Sequence, residues 1–284
     1  MENAPANCVL CGNKEKELLI TVDSWCIQRC VQCGLGVLDP RPSSDELAKL
    51  YNEDYCEDRF VEGGLTGTPE YTKRLSLETH RIKFFRSFKR SGKVLDIGCG
   101  YGYFLAACRE KGYDIHGLDF SDWAAHHARD RIGIPLTIGP LDEVSFPENS
   151  FDVITMWHSL EHMSDPREAV SRANSWLKDD GLLVVDVPNY TGTDARNLKE
   201  EWNGWDPPYH FYHFTPQALT SFLGKFGFRV IRKKDYHSET IKASLKKYPL
   251  INLIARPISK FYSGHSFAVV TRLKKSAEDQ DAES

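Results

Sequence analysis

An acid followed by three alternating glycines is the group of residues in this 284-residue chain whose spacing first indicates chemistry. Asp96 ends an apolar run, and Gly98, Gly100 and Gly102 then lead into a predicted helix. Glycines allow a ligand to lie against the backbone of a turn, and the N–H groups that start a helix face that ligand. The spacing D-x-G-x-G-x-G differs from the G-x-G-x-x-G of a dinucleotide site. Since a carboxylate repels a pyrophosphate, this turn indicates a site for a cationic ligand.

A second acid follows at the distance that a ribose-binding residue requires. Ile115 to Asp119 reads as the next strand after the turn that ends at Gly102, and Asp119 closes it. An acid about 20 residues past a glycine-rich turn accepts hydrogen bonds from ribose hydroxyls. Asp119 alone leaves a nicotinamide dinucleotide open as the ligand, and the glycine spacing argues against it. The structural alternative is that Asp119 caps a helix that starts near Ser121.

Four of the eight cysteines have the spacing of a metal site. Cys8 and Cys11 form one C-x-x-C-G knuckle, and Cys30 and Cys33 form another. Two such knuckles, separated by the length of a short hairpin, are typical of a tetrahedral zinc site. Four thiolates leave zinc no open position, so the ion would be structural. A strand hairpin between the knuckles gives a small zinc ribbon.

The remainder of the chain alternates strands and helices, the pattern of an α/β fold with a parallel sheet covered on both faces. In such sheets ligands bind beyond the carboxyl ends of the strands, which places the glycine turn and Asp119 at one pocket. The predicted strands are Val94–Asp96, Ile115–Asp119, Leu136–Ile138, Phe151–Met156, Leu182–Val187, Phe228–Arg232 and Ser266–Arg272.

The glycine turn, the second acid and the seven strands together resemble the class I methyltransferases, which use S-adenosylmethionine in a Rossmann-like sheet. The resemblance implies that Phe120 packs against the adenine ring and that the backbone near Leu141 meets its edge. Trp157 and His158 would lie near the methionine end. The cofactor-binding residues that it implies are Asp96, Gly98, Gly100, Gly102, Asp119, Phe120, Leu141, Met156 and Trp157.

Several histidines follow the strands that face the same pocket. A hydroxyl acceptor needs a base, and histidine titrates near neutral pH, so the predicted catalytic residues are His162, His210 and His158, with His213 close by. For His162, a structural role with a backbone hydrogen bond is an equal alternative. The H-x-x-E-H pattern from His158 to His162 could also indicate zinc, but that motif requires a long helix, and this stretch follows a strand.

An aromatic-rich segment precedes the helix at Pro216. Trp202, Trp205 and the run Pro207 to His213 place many rings on one loop, and such rings stack on sugars. A lid without acceptor contact is the alternative. The order of ribbon, class I domain and this P-x-H-x-Y-H-F-T segment resembles bacterial methyltransferases of surface-polysaccharide and secondary-metabolite synthesis. The resemblance implies a small-molecule or glycan acceptor.

These features divide the chain into a zinc ribbon at 1–42, a helical linker or lid at 43–92 and a methyltransferase domain at 93–275. The domain contains a substrate insert at 189–214, and 276–284 is predicted to be a disordered tail. An RNA methyltransferase and a non-catalytic cofactor-binding module remain the alternatives.

The net charge and the distribution of apolar residues also bear on these functional classes. The net charge of −4 argues against a large nucleic-acid surface. No run approaches the roughly 18 apolar residues of a membrane span, and the first residues lack the pattern of a signal peptide. The sequence therefore predicts a cytoplasmic enzyme.

Overall fold

The computed structural model describes residues 1–52, 55, 64, 66–248 and 252–274, with the side chains of residues 44, 45, 48 and 252 excepted. It confirms the predicted α/β class. Two sheets are present in the described residues, and the larger has seven strands. In chain order the strands of both sheets are β1 (Lys16–Val22), β2 (Trp25–Cys30), β3 (Gly36–Leu38), β4 (Lys93–Ile97), β5 (Asp114–Asp119), β6 (Leu136–Ile138), β7 (Phe151–Trp157), β8 (Leu177–Pro188), β9 (Tyr212–His213), β10 (Phe228–His237) and β11 (Ser263–Leu273).

The larger sheet has the order β10-β11-β8-β7-β4-β5-β6. Five neighbouring strands, from β8 to β6, run parallel, and β11 is antiparallel to both β8 and β10. The inner parallel strands β4, β7 and β8 are mostly apolar because both of their faces are buried. All five end at the same edge of the sheet, where the glycine turn follows β4.

Helices cover both faces of this sheet. Their starts follow local sequence signals: Thr68 accepts a hydrogen bond from the backbone N–H of Tyr71, and Pro69 occupies the first turn. The helices are α1 (Ser44–Leu50), α2 (Pro69–Phe85), α3 (Tyr103–Arg109), α4 (Asp122–His126), α5 (Pro166–Trp176), α6 (Thr193–Leu198), α7 (Pro216–Lys225), α8 (Glu239–Lys246) and α9 (Ala255–Ser259).

The smaller sheet joins the N-terminal ribbon to the aromatic segment. Its order is β1-β2-β3-β9, so a strand from residues 212–213 completes a sheet that starts at Lys16. The Tyr190 hydroxyl also donates to the Gly34 carbonyl, and the Lys225 ammonium group to the Leu10 carbonyl. The buried side chains of the ribbon form one continuous core with one face of the larger sheet. The ribbon is therefore packed on the α/β domain.

The sequence placed the seven strands of the larger sheet correctly, although most extend a few residues further. Asp165 caps α5 by accepting a hydrogen bond from the N–H of Arg167, and Glu168 forms an ion pair with Arg172. The predicted linker or lid at 43–92 lies partly outside the described residues, and the predicted tail at 276–284 lies wholly outside them. Within the described residues, no helix has the length and apolar character needed to cross a bilayer.

Candidate functional site

A cavity of about 790 Å³ lies at the carboxyl edge of the parallel strands. Residues from the glycine turn, the end of β5, the loop after β7, α2 and the aromatic segment line it. Of the predicted cofactor residues, all but one line this cavity: Asp96, Gly98, Gly100, Gly102, Asp119, Phe120, Leu141 and Trp157.

The glycine turn has a backbone that only glycine adopts without strain. Gly98, Gly100 and Gly102 have φ angles of +76°, +51° and +76°. The Asp119 carboxylate holds the turn, because its Oδ2 accepts from the Gly100 N–H at 2.7 Å and its Oδ1 from the Ser121 N–H at 2.9 Å. Ser121, and not Asp119, is the N-cap of α4. Asp119 thus faces the cavity as the residue that shapes the turn.

Asp96 is a buried acid at the floor of the cavity. The Thr155 hydroxyl donates to its Oδ1 at 2.5 Å, and only 3% of the residue is exposed. Burial raises the pKa of Asp96 to about 8. A cation that enters the cavity favours the ionised carboxylate, which fits the amino group and sulfonium of S-adenosylmethionine.

Helix α2 adds two cations that the sequence analysis did not assign to the cavity. The buried Glu78 pairs with Arg74 and with Arg81, the latter at 2.9 Å, and all three side chains line the cavity. The Nε atoms of both arginines are buried and have no hydrogen-bond partner among the described residues. These donors fit the carboxylate of the cofactor. Their spacing of four and three residues on one helix face was the signal that could have identified them.

The acceptor side of the cavity is a cluster of histidines. The rings of His162 and His210 lie 4.6 Å apart between centroids. Burial and the neighbouring His210 lower the pKa of His162 to about 4, so His162 is neutral at pH 7. Its Nδ1 lies 2.9 Å from the hydroxyl of Tyr51, and His210 Nδ1 donates to the Gly204 carbonyl at 2.9 Å. Both rings are therefore held at Nδ1.

His158 has a different electrostatic environment. Burial lowers its pKa, but the carboxylates of Asp186 and Glu161 outweigh burial and raise it above the usual value. Its Nδ1 lies 3.3 Å from Glu161 and its Nε2 3.8 Å from Asp186. Both ring nitrogens of His158 thus face acids, which makes His158 a poorer candidate for the base than His162. His265, which the sequence analysis missed, also lines this side.

Two of the predicted residues lie away from the cavity. Met156 is fully buried and does not line the cavity. Successive side chains of a strand point to opposite faces, so Trp157 faces the cavity and Met156 the core. His213 does not line it either, because β9 pairs His213 with Gly36 of the ribbon.

The aromatic segment contributes polar groups rather than stacking surfaces. Trp202 and Trp205 are buried in the core that the ribbon shares with the larger sheet. Asn203, Asp206 and His210 line the cavity instead. The loop therefore turns its two tryptophan rings inward and these hydrogen-bonding groups toward the cavity.

The four ribbon cysteines form a cluster with the geometry of a zinc site. The Sγ atoms of Cys8 and Cys33 lie 3.5 Å apart, as do those of Cys11 and Cys30. All four sulfurs lie within 4.8 Å of one another. Tetrahedral zinc, with about 2.3 Å to each sulfur, requires separations of about 3.8 Å. The donor set and spacing fit such an ion.

A second group of possible ligand atoms lies in the cavity. Glu161, His162 and His210 each place one such atom within 4.8 Å of the others. His158 is not part of this group, so the H-x-x-E-H pattern of the sequence does not supply its two histidines as a pair. Glu161 instead lies 3.3 Å from Nδ1 of His158.

Comparison with known proteins agrees with this geometry. A family model described as a methyltransferase domain matches residues 70–233. The phosphoethanolamine N-methyltransferase of Plasmodium falciparum is 25% identical over 205 residues, which cover 70% of this chain and 72% of that protein. A probable S-adenosylmethionine-dependent methyltransferase of Mycolicibacterium smegmatis is 29% identical over 139 residues, covering 48% and 52%.

Two further methyltransferases are similar to this chain. The ubiquinone biosynthesis O-methyltransferase of Actinobacillus pleuropneumoniae is 33% identical over 110 residues, covering 35% of this chain and 47% of that protein. The chain thus spans about half the length of this relative and of the Mycolicibacterium one. A solved methyltransferase structure from Archaeoglobus fulgidus shares the fold with a TM-score of 0.53 and 20% identity, covering 70% of this chain and 93% of that one.

Proposed function

Since this chain belongs to the S-adenosylmethionine-dependent methyltransferases, as its methyltransferase domain shows, we propose that its acceptor is a small hydroxylated molecule, a sugar or glycan precursor. The observation that carries this proposal is the neutral His162 beside His210 in the cavity. Asn203 and Asp206 add hydrogen-bonding groups on the same side. Such a lining favours an acceptor that bears several hydroxyl groups.

The histidine pair provides the base that a hydroxyl acceptor needs. Bound S-adenosylmethionine supplies an activated methyl group. When His162 donates its Nδ1 proton to the Tyr51 hydroxyl, its Nε2 carries the lone pair that accepts the acceptor's proton. His210 is the second candidate, because its Nδ1–H is held by the Gly204 carbonyl, which leaves its Nε2, 3.6 Å from the Asp206 carboxylate, to take the proton. A pKa of about 4 keeps His162 in the basic form down to mildly acidic pH.

The proposal is tested by replacing the two histidines and measuring methyl transfer and cofactor binding separately. We expect His162→Ala to lower turnover by roughly 10²–10⁴-fold, the usual contribution of a general base, while calorimetry finds nearly unchanged cofactor affinity. His126→Ala is the matched control, because His126 is exposed on α4 and does not line the cavity. A parallel loss of thermal stability and cofactor affinity in His162→Ala would instead identify a structural histidine.

The nature of the acceptor is tested with labelled cofactor and different acceptor classes. Sugar phosphates, nucleotide sugars, small amines and RNA are offered to the same preparation. The amine is included because the Plasmodium relative is named an N-methyltransferase. A neutral sugar predicts turnover almost independent of salt, whereas RNA predicts a steep loss with added salt. Activity on RNA that survives both histidine replacements would contradict the acceptor class and the base together.

A further inference from the structure

The segment between β10 and β11 exposes an unusual share of the apolar surface. Five of the eleven large apolar side chains that are exposed in the described residues lie between positions 248 and 262. Leu253 is 90% exposed and Phe261 is 88% exposed. Scattered single apolar residues need no explanation, but such a concentration indicates a contact surface. We name this group the apolar patch; its members are Tyr248, Leu253, Ile254, Phe261 and Tyr262.

The same segment is strongly basic, although the whole chain carries a net charge of −4. Between residues 239 and 262 it has five lysines or arginines and one acid, Glu239, which pairs with Lys242. The four other cations have no carboxylate within ion-pairing distance in the part of the chain that the structure describes. These exposed cations are Lys246, Lys247, Arg256 and Lys260.

The patch rests on a fixed support. The Asp194 carboxylate accepts hydrogen bonds from the N–H groups of Glu239 and Thr240, each at 3.1 Å, at the start of α8. On α9, Ala255 and Ser259 are fully buried. The side chains of the residues that follow them, Arg256 and Lys260, therefore lie on the outer side of this short helix.

The patch lies at the edge of the sheet where the cavity opens. Strand β11 is antiparallel to β8 and pairs Ser266 with Pro188, the last residue of β8. The start of β11 therefore lies at the carboxyl edge of the parallel strands. Shortly beyond Tyr262, His265 lines the cavity.

We infer that this segment docks on the surface of an anionic lipid bilayer and so holds the cavity edge close to the membrane. Apolar side chains interspersed with exposed lysine and arginine are typical of segments that lie in a membrane interface. The cytoplasmic leaflet is negatively charged, which attracts such cations. The docking does not depend on which acceptor the enzyme methylates.

The charge of the segment argues against a second copy of the chain, or another protein, as the partner that covers the patch. A twofold contact between two copies of the chain would place the patch against itself, which brings eight like charges together. The centres of protein interfaces are depleted in lysine, whereas lysines 246, 247 and 260 lie among the apolar residues here. The side chains of Leu253 and Phe261 are almost fully exposed, as suits insertion between lipid headgroups.

Vesicle binding by the full-length protein tests the inference without cofactor or acceptor. We expect sedimentation with vesicles of phosphatidylcholine and phosphatidylglycerol, at least about tenfold more than with phosphatidylcholine alone, and release by high salt. Leu253→Ser with Phe261→Ser should reduce binding about tenfold or more, and Arg256→Glu with Lys260→Glu should abolish it. The matched controls are Leu18→Ser on β1 and Lys111→Glu, both at exposed positions outside the segment.

Cofactor affinity, measured by calorimetry on every variant, separates loss of docking from loss of folding. Unchanged cofactor affinity with lost vesicle binding supports the inference even if the acceptor proves not to be a sugar. The inference is overturned if the wild-type protein ignores anionic vesicles or if the patch variants bind them as the wild type does. A wild-type dimer that Leu253→Ser with Phe261→Ser converts to a monomer would assign the patch to self-association instead.

Discussion

The two sides of the cavity are built in different ways. The cofactor side comes from consecutive strand ends of one parallel sheet, so one short stretch of sequence positions Asp96, the glycine turn and Asp119. The acceptor side brings together Tyr51, His162 and His210 from distant parts of the chain. It also depends on the smaller sheet, in which β9 pairs with the ribbon.

Backbone hydrogen bonds connect the ribbon to the acceptor side directly. The N–H of Leu38 in the ribbon donates to the Phe211 carbonyl at 3.0 Å, and the N–H of Phe211 donates to the Glu161 carbonyl at 2.9 Å. Glu161 precedes His162, and Phe211 follows His210. The cofactor side has no such link in the described residues. The two sides should therefore respond differently to loss of the ribbon.

The largest effect is expected from Cys30→Ser. The variant should lose its zinc, and with it a contribution to ribbon folding on the order of 10 kcal/mol. Turnover should fall by about 10²-fold or more, because a displacement of about 1 Å in a reacting group is that costly. Cofactor affinity should change little. Elemental analysis, limited proteolysis, turnover and calorimetry measure these quantities.

Cys26→Ser is the control for this variant, since Cys26 lies on β2 outside the four-cysteine cluster. An equal loss of cofactor affinity in Cys30→Ser would show that the ribbon supports both sides of the cavity. Metal retained after replacement of all four cysteines would place it at Glu161, His162 and His210.

Asp119→Ala is expected to weaken cofactor binding and to leave the ribbon intact, the reverse of Cys30→Ser. Removal of the carboxylate takes away the two predicted ribose hydrogen bonds and the support of the Gly100 N–H, so cofactor affinity should fall by roughly 100-fold. Zinc content and protease resistance of the ribbon should match the wild type. Calorimetry measures the affinity, and Asp122→Ala, at an exposed position of α4, is the control. Unchanged affinity, or a preference for a nicotinamide dinucleotide, would refute the assignment of this side.

The affinity for the cofactor should depend on pH through a residue of the cofactor side, Asp96. The pKa of Asp96 is raised to about 8 by burial, and a cationic ligand binds the ionised form. As pH falls below 8, Asp96 becomes protonated, so cofactor affinity should weaken by up to about tenfold per pH unit. Calorimetry from pH 6 to 9 measures this slope, and buffers of different ionisation enthalpy report the released proton.

Asp96→Asn should bind weakly with a flat pH profile, because its side chain has no proton to release. Asp114→Asn, at the exposed start of β5, should keep the wild-type slope. A wild-type affinity that does not change between pH 6 and 8 would show that the cofactor does not depend on an ionised Asp96.

The smallest expected effect belongs to the acceptor side. Tyr51→Phe removes the hydroxyl that holds Nδ1 of His162 and leaves the ring in place. One hydrogen bond of about 1 kcal/mol corresponds to roughly a fivefold loss of turnover, with cofactor affinity unchanged. Tyr113→Phe, which removes a hydroxyl that donates to the Lys89 carbonyl away from the cavity, is the control. Equal turnover in Tyr51→Phe and the wild type would show that this contact does not orient the base.

The difference between the two sides also explains what the sequence could predict. The glycine turn, Asp119 and the cysteine knuckles are local patterns, in which spacing along the chain determines spacing in the fold. Met156 was wrongly assigned because the strand alternation between positions 156 and 157 was not applied. Trp202 and Trp205 were expected to stack on an acceptor, but the ribbon covers that face, and no local pattern records such a contact.

The missed residues share a second physical reason. Tyr51, Asp206 and His265 reach the cavity from segments that are far apart in sequence, so their proximity depends on tertiary packing. Arg74 and Arg81 lie on a helix, and charged residues on a helix most often form a solvated face. Only the packing of α2 over the cavity gives these two arginines a ligand to face.

The pairing of β3 with β9 bears on how such enzymes can be recombined. Replacement of the ribbon alone would leave residues 212–213 beside a strand for which they did not evolve, and replacement of the insert alone would do the same to residues 36–38. A chimera that transfers acceptor preference between relatives should therefore exchange both stretches together. Most of the methyltransferase domain separates these two stretches in sequence. Because they pair in one sheet, they form a single unit for exchange between relatives.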